Sequence, residues 1–268
     1  MRRKQGEKRC NRVVLTVYLS LRLIVIASLT VQLAEQNFEN AFICILTLLL
    51  FQTPSFLERR LKVVLPDVLE IMILVFIFAA QIMGEIQEYY LTVPYWDILL
   101  HGCNGFLFAA IGFSMVNVLN ENKSASFSLS PLYMAMTAFC FSMTIGILWE
   151  FFEWGMDSWF GTDMQKDTVI SGFQSVLLNP LGHNVPCAVT EIRNTVLIHE
   201  DGSSTALNLG GYLDIGLLDT MTDLLVNFLG AVLFFPIGFF YVKSKGKGRL
   251  AQLLIPRAEN GDKTRSSG

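Results

Sequence analysis

Three stretches of the chain place ionisable and amide side chains at helical spacing inside otherwise apolar segments. In WDILLHGCNG, Asp97, His101 and Asn104 fall at i, i+4 and i+7. In WEFFEWGMD, Glu150, Glu153 and Asp157 fall at i, i+3 and i+7. In DTMTDLLVNFLG, Asp219, Asp223 and Asn227 fall at i, i+4 and i+8, with Gly230 one turn further. Each set shares one helix face. Carboxylates gathered in an apolar setting repel one another, so the protein must hold cations, protons or a basic ligand among them. An imidazole beside them adds two options. His101, Glu150 and Asp223 are candidates to hold a divalent cation through nitrogen and oxygen, or to act as an acid–base pair.

The elements that carry these residues are long and apolar. Hydrophobic residues make up 52% of the 268 and charged residues only 16%. They gather in blocks of about 18 or more, enough to cross a hydrocarbon core of about 30 Å. The expected spans are residues 13–33, 40–56, 67–84, 96–118, 131–154 and 216–242, an all-α polytopic bundle. The run from Val13 to Leu33 is too long for a cleavable signal peptide, and no small-x-small site follows it. Residues 56–66, with Arg59, Arg60 and Lys62, form an amphipathic stretch suited to the headgroup layer.

Basic residues set the expected topology. Arg2, Arg3, Lys4, Lys8, Arg9 and Arg12 crowd the N-terminus, and Lys243, Lys245, Lys247 and Arg249 follow the last span. The segments 35–39 and 85–95 have no basic residue, and 155–215 has Lys166 and Arg193 against seven acids. Six spans satisfy this alternation with both termini cytoplasmic, in a cell membrane, and the 155–215 loop outside. Residues 1–12 then form a basic N-terminus, 13–242 the membrane domain, and 243–268 a basic and then disordered tail.

Under that topology the three polar faces all fall in the outer half of the bilayer. At 1.5 Å per residue, His101 and Asp223 lie roughly 5–12 Å below its outer boundary. A single water-accessible acidic pocket on spans four to six is the expectation, with His101, Glu150, Glu153, Asp157, Asp219, Asp223 and Asn227 as ligand-binding candidates. For Asp97, Asp157 and Asp219, each within a turn of a span end, a place in the headgroup layer is the competing reading. For Asn227 it is a hydrogen bond between helices, with Gly230 allowing close approach. Arg22, near the middle of span one, is expected to reach Asp223 or to snorkel. Trp149, Trp154, Trp159, Tyr89, Tyr90, Tyr95 and Trp96 fit an aromatic belt.

The long loop carries its own signals. Residues 188–199 are rich in β-branched side chains and residues 203–209 are expected to return antiparallel, with Asp201-Gly202 as the turn. The apolar piece 168–182 is too short to span; it is expected to lie on the membrane, re-enter it, or pack under the hairpin. Cys10, Cys44, Cys103, Cys140 and Cys187 show no CxxC or Cys/His metal spacing, and no structural disulfide is expected.

Together, WDILLHGCNG (96–105), WEFFEWGMDSWFGTDMQKD (149–167) and GYLDIGLLDTMTDLLVNFLGA (211–231) resemble the YjdF-type bacterial inner-membrane proteins. More loosely, a histidine, then ExxE, then DxxxDxxxNxxG resembles the VanZ-like membrane proteins, associated with resistance to glycopeptides of the teicoplanin type. That pattern is expected to carry Glu-x-x-Gln where this chain has Glu150 and Glu153. The resemblance implies that His101, Glu150, Glu153, Asp157, Asp219, Asp223, Asn227 and Gly230 are the positions shared with these families.

Three functions fit these observations. The first is binding or transport of a cationic, amphiphilic or lipid-linked ligand. The second is metal-dependent hydrolysis or transfer on an envelope lipid precursor. The third is a structural or sensing role in which the polar faces only specify packing. Membrane lipids are expected partners. The sequence has no P-loop, G-x-G-x-x-G, H-E-x-x-H or G-x-S-x-G signature, and no basic patch with interleaved aromatics for nucleic acid.

Overall fold

A computed structural model describes residues 11–120, 129–244, 246 and 249–258. The basic stretch 2–9, Lys123 and the tail from Glu259 lie outside the described residues. The chain divides into two compact units, 1–147 with 223–268, and 148–222.

The first unit is helical. Asn11 caps α1 (Arg12–Ala34) by accepting from the Val13 amide, and Asn37 caps α2 (Phe38–Leu50) in the same way through Asn40. Pro54 opens α3 (Thr53–Leu61), where its missing N–H costs nothing. The two run together as one apolar segment, Phe38–Leu61. Span two therefore absorbs the start of the stretch assigned to the headgroup layer. Lys62 ends it in the left-handed region (φ 53°), ahead of the short strand β1 (Val63–Val64). Next, α4 (Asp67–Phe78) continues as a π-helical stretch, Ala79–Ile86, in which Gly84 lies under the Tyr90 ring. A short α5 (Tyr89–Thr92) leads into α6 (Trp96–Asn120). The first part of α7 (Pro131–Phe160) and most of α8 (Leu217–Lys243) complete the bundle. A last short helix, α9 (Arg249–Leu254), follows α8.

Among the described residues, six helical segments are long and apolar enough to cross a membrane: Arg12–Ala34, Phe38–Leu61, Asp67–Ile86, Trp96–Asn120, Pro131–Phe160 and Leu217–Lys243. Their burial is uneven. Along α1, Val13 and Leu23 are 60% and 66% exposed, as side chains facing lipid would be. Along α6, Ala109, Ala110 and Phe113 are fully buried. Phe234 of α8 packs edge-on against Phe106 and Phe113, at 5.5 and 5.9 Å between ring centres. Arg22 donates from Nη1 to the Tyr18 hydroxyl, 2.6 Å away and one turn back on α1, and lies over that ring.

The second unit joins the end of α7 to the start of α8 through short antiparallel pairs. β2 (Thr168–Ile170) pairs with β7 (Tyr212–Asp214), and β3 (Phe173–Ser175) with β4 (Cys187–Val189). β5 (Val196–Ile198) pairs with β6 (Ser204–Ala206) across the expected turn, where Gly202 has φ +80°. Ser203 donates twice to the Asp201 carboxylate, and these bonds hold that carboxyl below the ordinary carboxylate range. The apolar piece 168–182 supplies β2 and β3 and then a loop. Two strand partners from the same unit satisfy its backbone, where a helical or re-entrant segment would have had to satisfy its own.

Candidate functional site

The close approach of α6 and α8 begins with glycines. A Cβ on Gly230 would lie far inside contact distance of the Gly102 carbonyl oxygen, and one on Gly105 equally close to the Asn227 carbonyl oxygen. With no side chain at these three positions the two backbones touch, the arrangement by which small residues drive helix association in lipid. Side chains one or two turns away are therefore forced together.

A polar layer forms first. Asn104 Nδ2 donates to Asn227 Oδ1 at 3.0 Å, and Asn227 Nδ2 reaches Met143 Sδ at 3.6 Å. Ser142 Oγ donates to the Gly105 carbonyl at 2.6 Å, and Gly146 leaves room for the Asn227 amide. Asn227 is fully buried. Its amide ties α6, α7 and α8 within the first unit, so the packing role expected for it is present.

One turn along α8 from Asn227 stands Asp223, 1% exposed, facing His101 on α6. His101 Nε2 lies 3.8 Å from Asp223 Oδ2 and 3.4 Å from Asp97 Oδ1. One nitrogen and two carboxylate oxygens from these residues lie within 4.8 Å of one another. Neither separation from Nε2 is that of a short hydrogen bond. Both approach the ligand–ligand spacing around a divalent ion with bonds of about 2.1–2.4 Å. Asp97 is 24% exposed, so the group is buried on the Asp223 side and open on the Asp97 side.

The group presents two carboxylates and an imidazole in an apolar bundle, and a divalent cation would offset the charge of both carboxylates.

In the second unit the remaining candidates do different things. Glu150 and Glu153 are buried, at 4% and 6% exposure, and Trp149 Nε1 donates to Glu153 Oε1 at 2.8 Å. Asp157 accepts from Thr162 Oγ1 at 2.7 Å and from the amides of Met164 and Gln165 at 2.7 and 2.8 Å. Asp219 accepts from the Lys166 amide at 2.7 Å, and Thr220 from Gln165 Nε2. Residues 161–166 are thus fastened to both helix ends by two carboxylates. Nearby, burial and then the carboxylates of Asp163, Asp214 and Asp157 push the Asp167 carboxyl above its usual value.

Replacing Asp157 by Ala leaves two backbone amides without their acceptor, at a cost of about 1–3 kcal/mol. The expected result is faster hydrogen exchange at Met164 and Gln165, with the helical amides of the first unit unchanged.

Of the sequence candidates, the structure groups Asp97, His101 and Asp223 and pairs Asn227 with Asn104. It gives Asp157 and Asp219 backbone partners in the loop. Sequence reasoning passed over Ser142, Gly146, Gly102, Gly105 and Gln165. The first two were findable, because Ser142, Gly146, Glu150 and Glu153 recur at i, i+4, i+8 and i+11 on α7. Gln165 carried no such signal.

Residues 15–244 match a family described as predicted membrane protein, DUF2238. No curated protein and no solved structure matches the chain.

Proposed function

The chain belongs to the DUF2238 family of predicted membrane proteins and crosses the membrane several times, and from that premise we propose that its Asp97–His101–Asp223 group binds a divalent cation. In this reading the cation is the centre at which a lipid-linked ligand engages the protein, through an anionic group such as its phosphate. The observation that carries it is one imidazole nitrogen flanked at 3.4 and 3.8 Å by carboxylates from two helices, with the imidazole and the Asp223 carboxylate buried.

The finer kinship we propose is with YjdF-type proteins, and more distantly VanZ-like ones, on the motifs around His101, Glu150 and Asp223. The distribution of basic residues supports an orientation with both termini in the cytoplasm. The group then opens toward the outer leaflet, where headgroups and lipid-linked molecules reside.

The experiment is metal loading of purified full-length protein. After chelation and desalting, the wild type is expected to bind one equivalent of Mn²⁺ or Zn²⁺, and His101→Ala none. Glu150→Gln and Glu153→Gln, assayed alongside, report whether the acids of α7 belong to the ligand set. Equal binding by wild type and His101→Ala would remove the proposal.

A further inference from the structure

The loop between β3 and β4 is built in an unusual way for a segment in water. Leu177, Leu181 and Val185 are 92%, 75% and 60% exposed, and Leu178 is half exposed. Yet the loop is well tied internally. The Asn179 amide donates to the Val176 carbonyl and the Gly182 amide to the Asn179 carbonyl, at 3.0 and 3.1 Å. The Asn179 side chain accepts from the Leu181 amide and donates to the Val185 carbonyl, both at 2.9 Å. Gly182 takes a positive φ of 67° and Pro180 lacks an N–H to satisfy. The Asn179 side chain is turned inward on the loop backbone and the leucines are turned out, with His183 and Asn184 exposed beside them.

That division suits an apolar surround, where backbone groups must find partners inside the segment. The charge pattern agrees. No Asp, Glu, Lys or Arg occurs between Asp167 and Glu191. The β5–β6 turn, by contrast, carries Glu200 and Asp201. The unit that holds both loops begins and ends in spanning helices, so lipid is the apolar phase at hand.

We infer that the β3–β4 loop inserts Leu177, Leu178 and Leu181 into the headgroup–acyl boundary of the membrane the chain crosses, while the β5–β6 turn stays in water. The contact is apolar and shallow, of the depth of an interfacial anchor. It is independent of the cation site.

The test uses full-length protein with its native cysteines replaced by serine or alanine. Leu177→Cys or Asp201→Cys is labelled with an environment-sensitive fluorophore, in phosphatidylethanolamine–phosphatidylglycerol nanodiscs. The label at position 177 is expected to emit at shorter wavelength than at 201. A nitroxide on the upper acyl chain should quench it severalfold more, and aqueous iodide severalfold less. Equal iodide quenching at both positions would place the loop in water and overturn the inference. Protection at 177 from both quenchers would place it against protein, a second copy or a partner, and would overturn it as well.

Discussion

Asp223→Asn is expected to cut cation-dependent stabilisation to about half or less while leaving the metal-free protein as stable as the wild type, or more so. Asn keeps the shape of the side chain and removes a carboxylate that flanks His101. Without an ion, relief of repulsion between like charges favours the variant, a common trade at functional sites. With an ion at a hundred times its Kd, the wild type gains about 2.7 kcal/mol. A tenfold to hundredfold loss of affinity reduces that gain to about 1.4 or 0.4 kcal/mol by the same relation. The order of unfolding midpoints should therefore be compressed or reversed between EDTA and metal. Asp97→Asn should show the same pattern more weakly, because Asp97 is partly exposed where Asp223 is not. A variant that loses stability equally in EDTA and in metal would assign Asp223 to packing.

Gly230→Leu is expected to prevent the bundle from assembling. The first atom of any side chain there overlaps the Gly102 carbonyl oxygen, a backbone atom that cannot turn aside. The helices must separate, which pulls Asn227 from Asn104 and Asp223 from His101. Overpacking at a site this rigid costs about 3 kcal/mol or more. Even Ala should be poorly tolerated. Gly155→Ala is the matched control: a Cβ there meets the Trp159 ring at an ordinary 3.4 Å, and Ala in a helix stabilises by about 0.4–1 kcal/mol. Monodispersity in detergent and the unfolding midpoint read both substitutions. A Gly230→Leu protein that is monodisperse and binds metal normally would contradict the helix contact described above.

The helices were legible because lipid-facing segments must be apolar all round, and such runs stand out without any periodicity. Their ends were less so. Span two continues past Pro54 to Leu61, since proline is tolerated at a helix start. The last expected residue of span five, Trp154, is followed by six more helical residues. The apolar composition of 168–182 left three placements open, on the membrane, re-entrant or under the hairpin, and did not reveal that its first half forms β2 and β3 with partners at Tyr212–Asp214 and Cys187–Val189. Within the site, Asp97 with His101, and Asp223 with Asn227, were visible as i, i+4 pairs on single helices. Their meeting across helices depends on Gly102, Gly105 and Gly230, and two of these looked like ordinary helix glycines. Asp157 and Asp219 shared the same helical spacing, yet their partners are loop amides. Spacing identifies a face of a helix and says nothing of what an adjoining loop brings to it.

The most direct measurement is electron spin echo spectroscopy of Mn²⁺ bound to the full-length protein in nanodiscs. A nitrogen modulation from one directly coordinated imidazole is predicted for the wild type, and its disappearance in His101→Ala. Mn²⁺ that does not bind, or a nitrogen signal that survives in His101→Ala, would contradict the assignment of Asp97, His101 and Asp223 as a cation site.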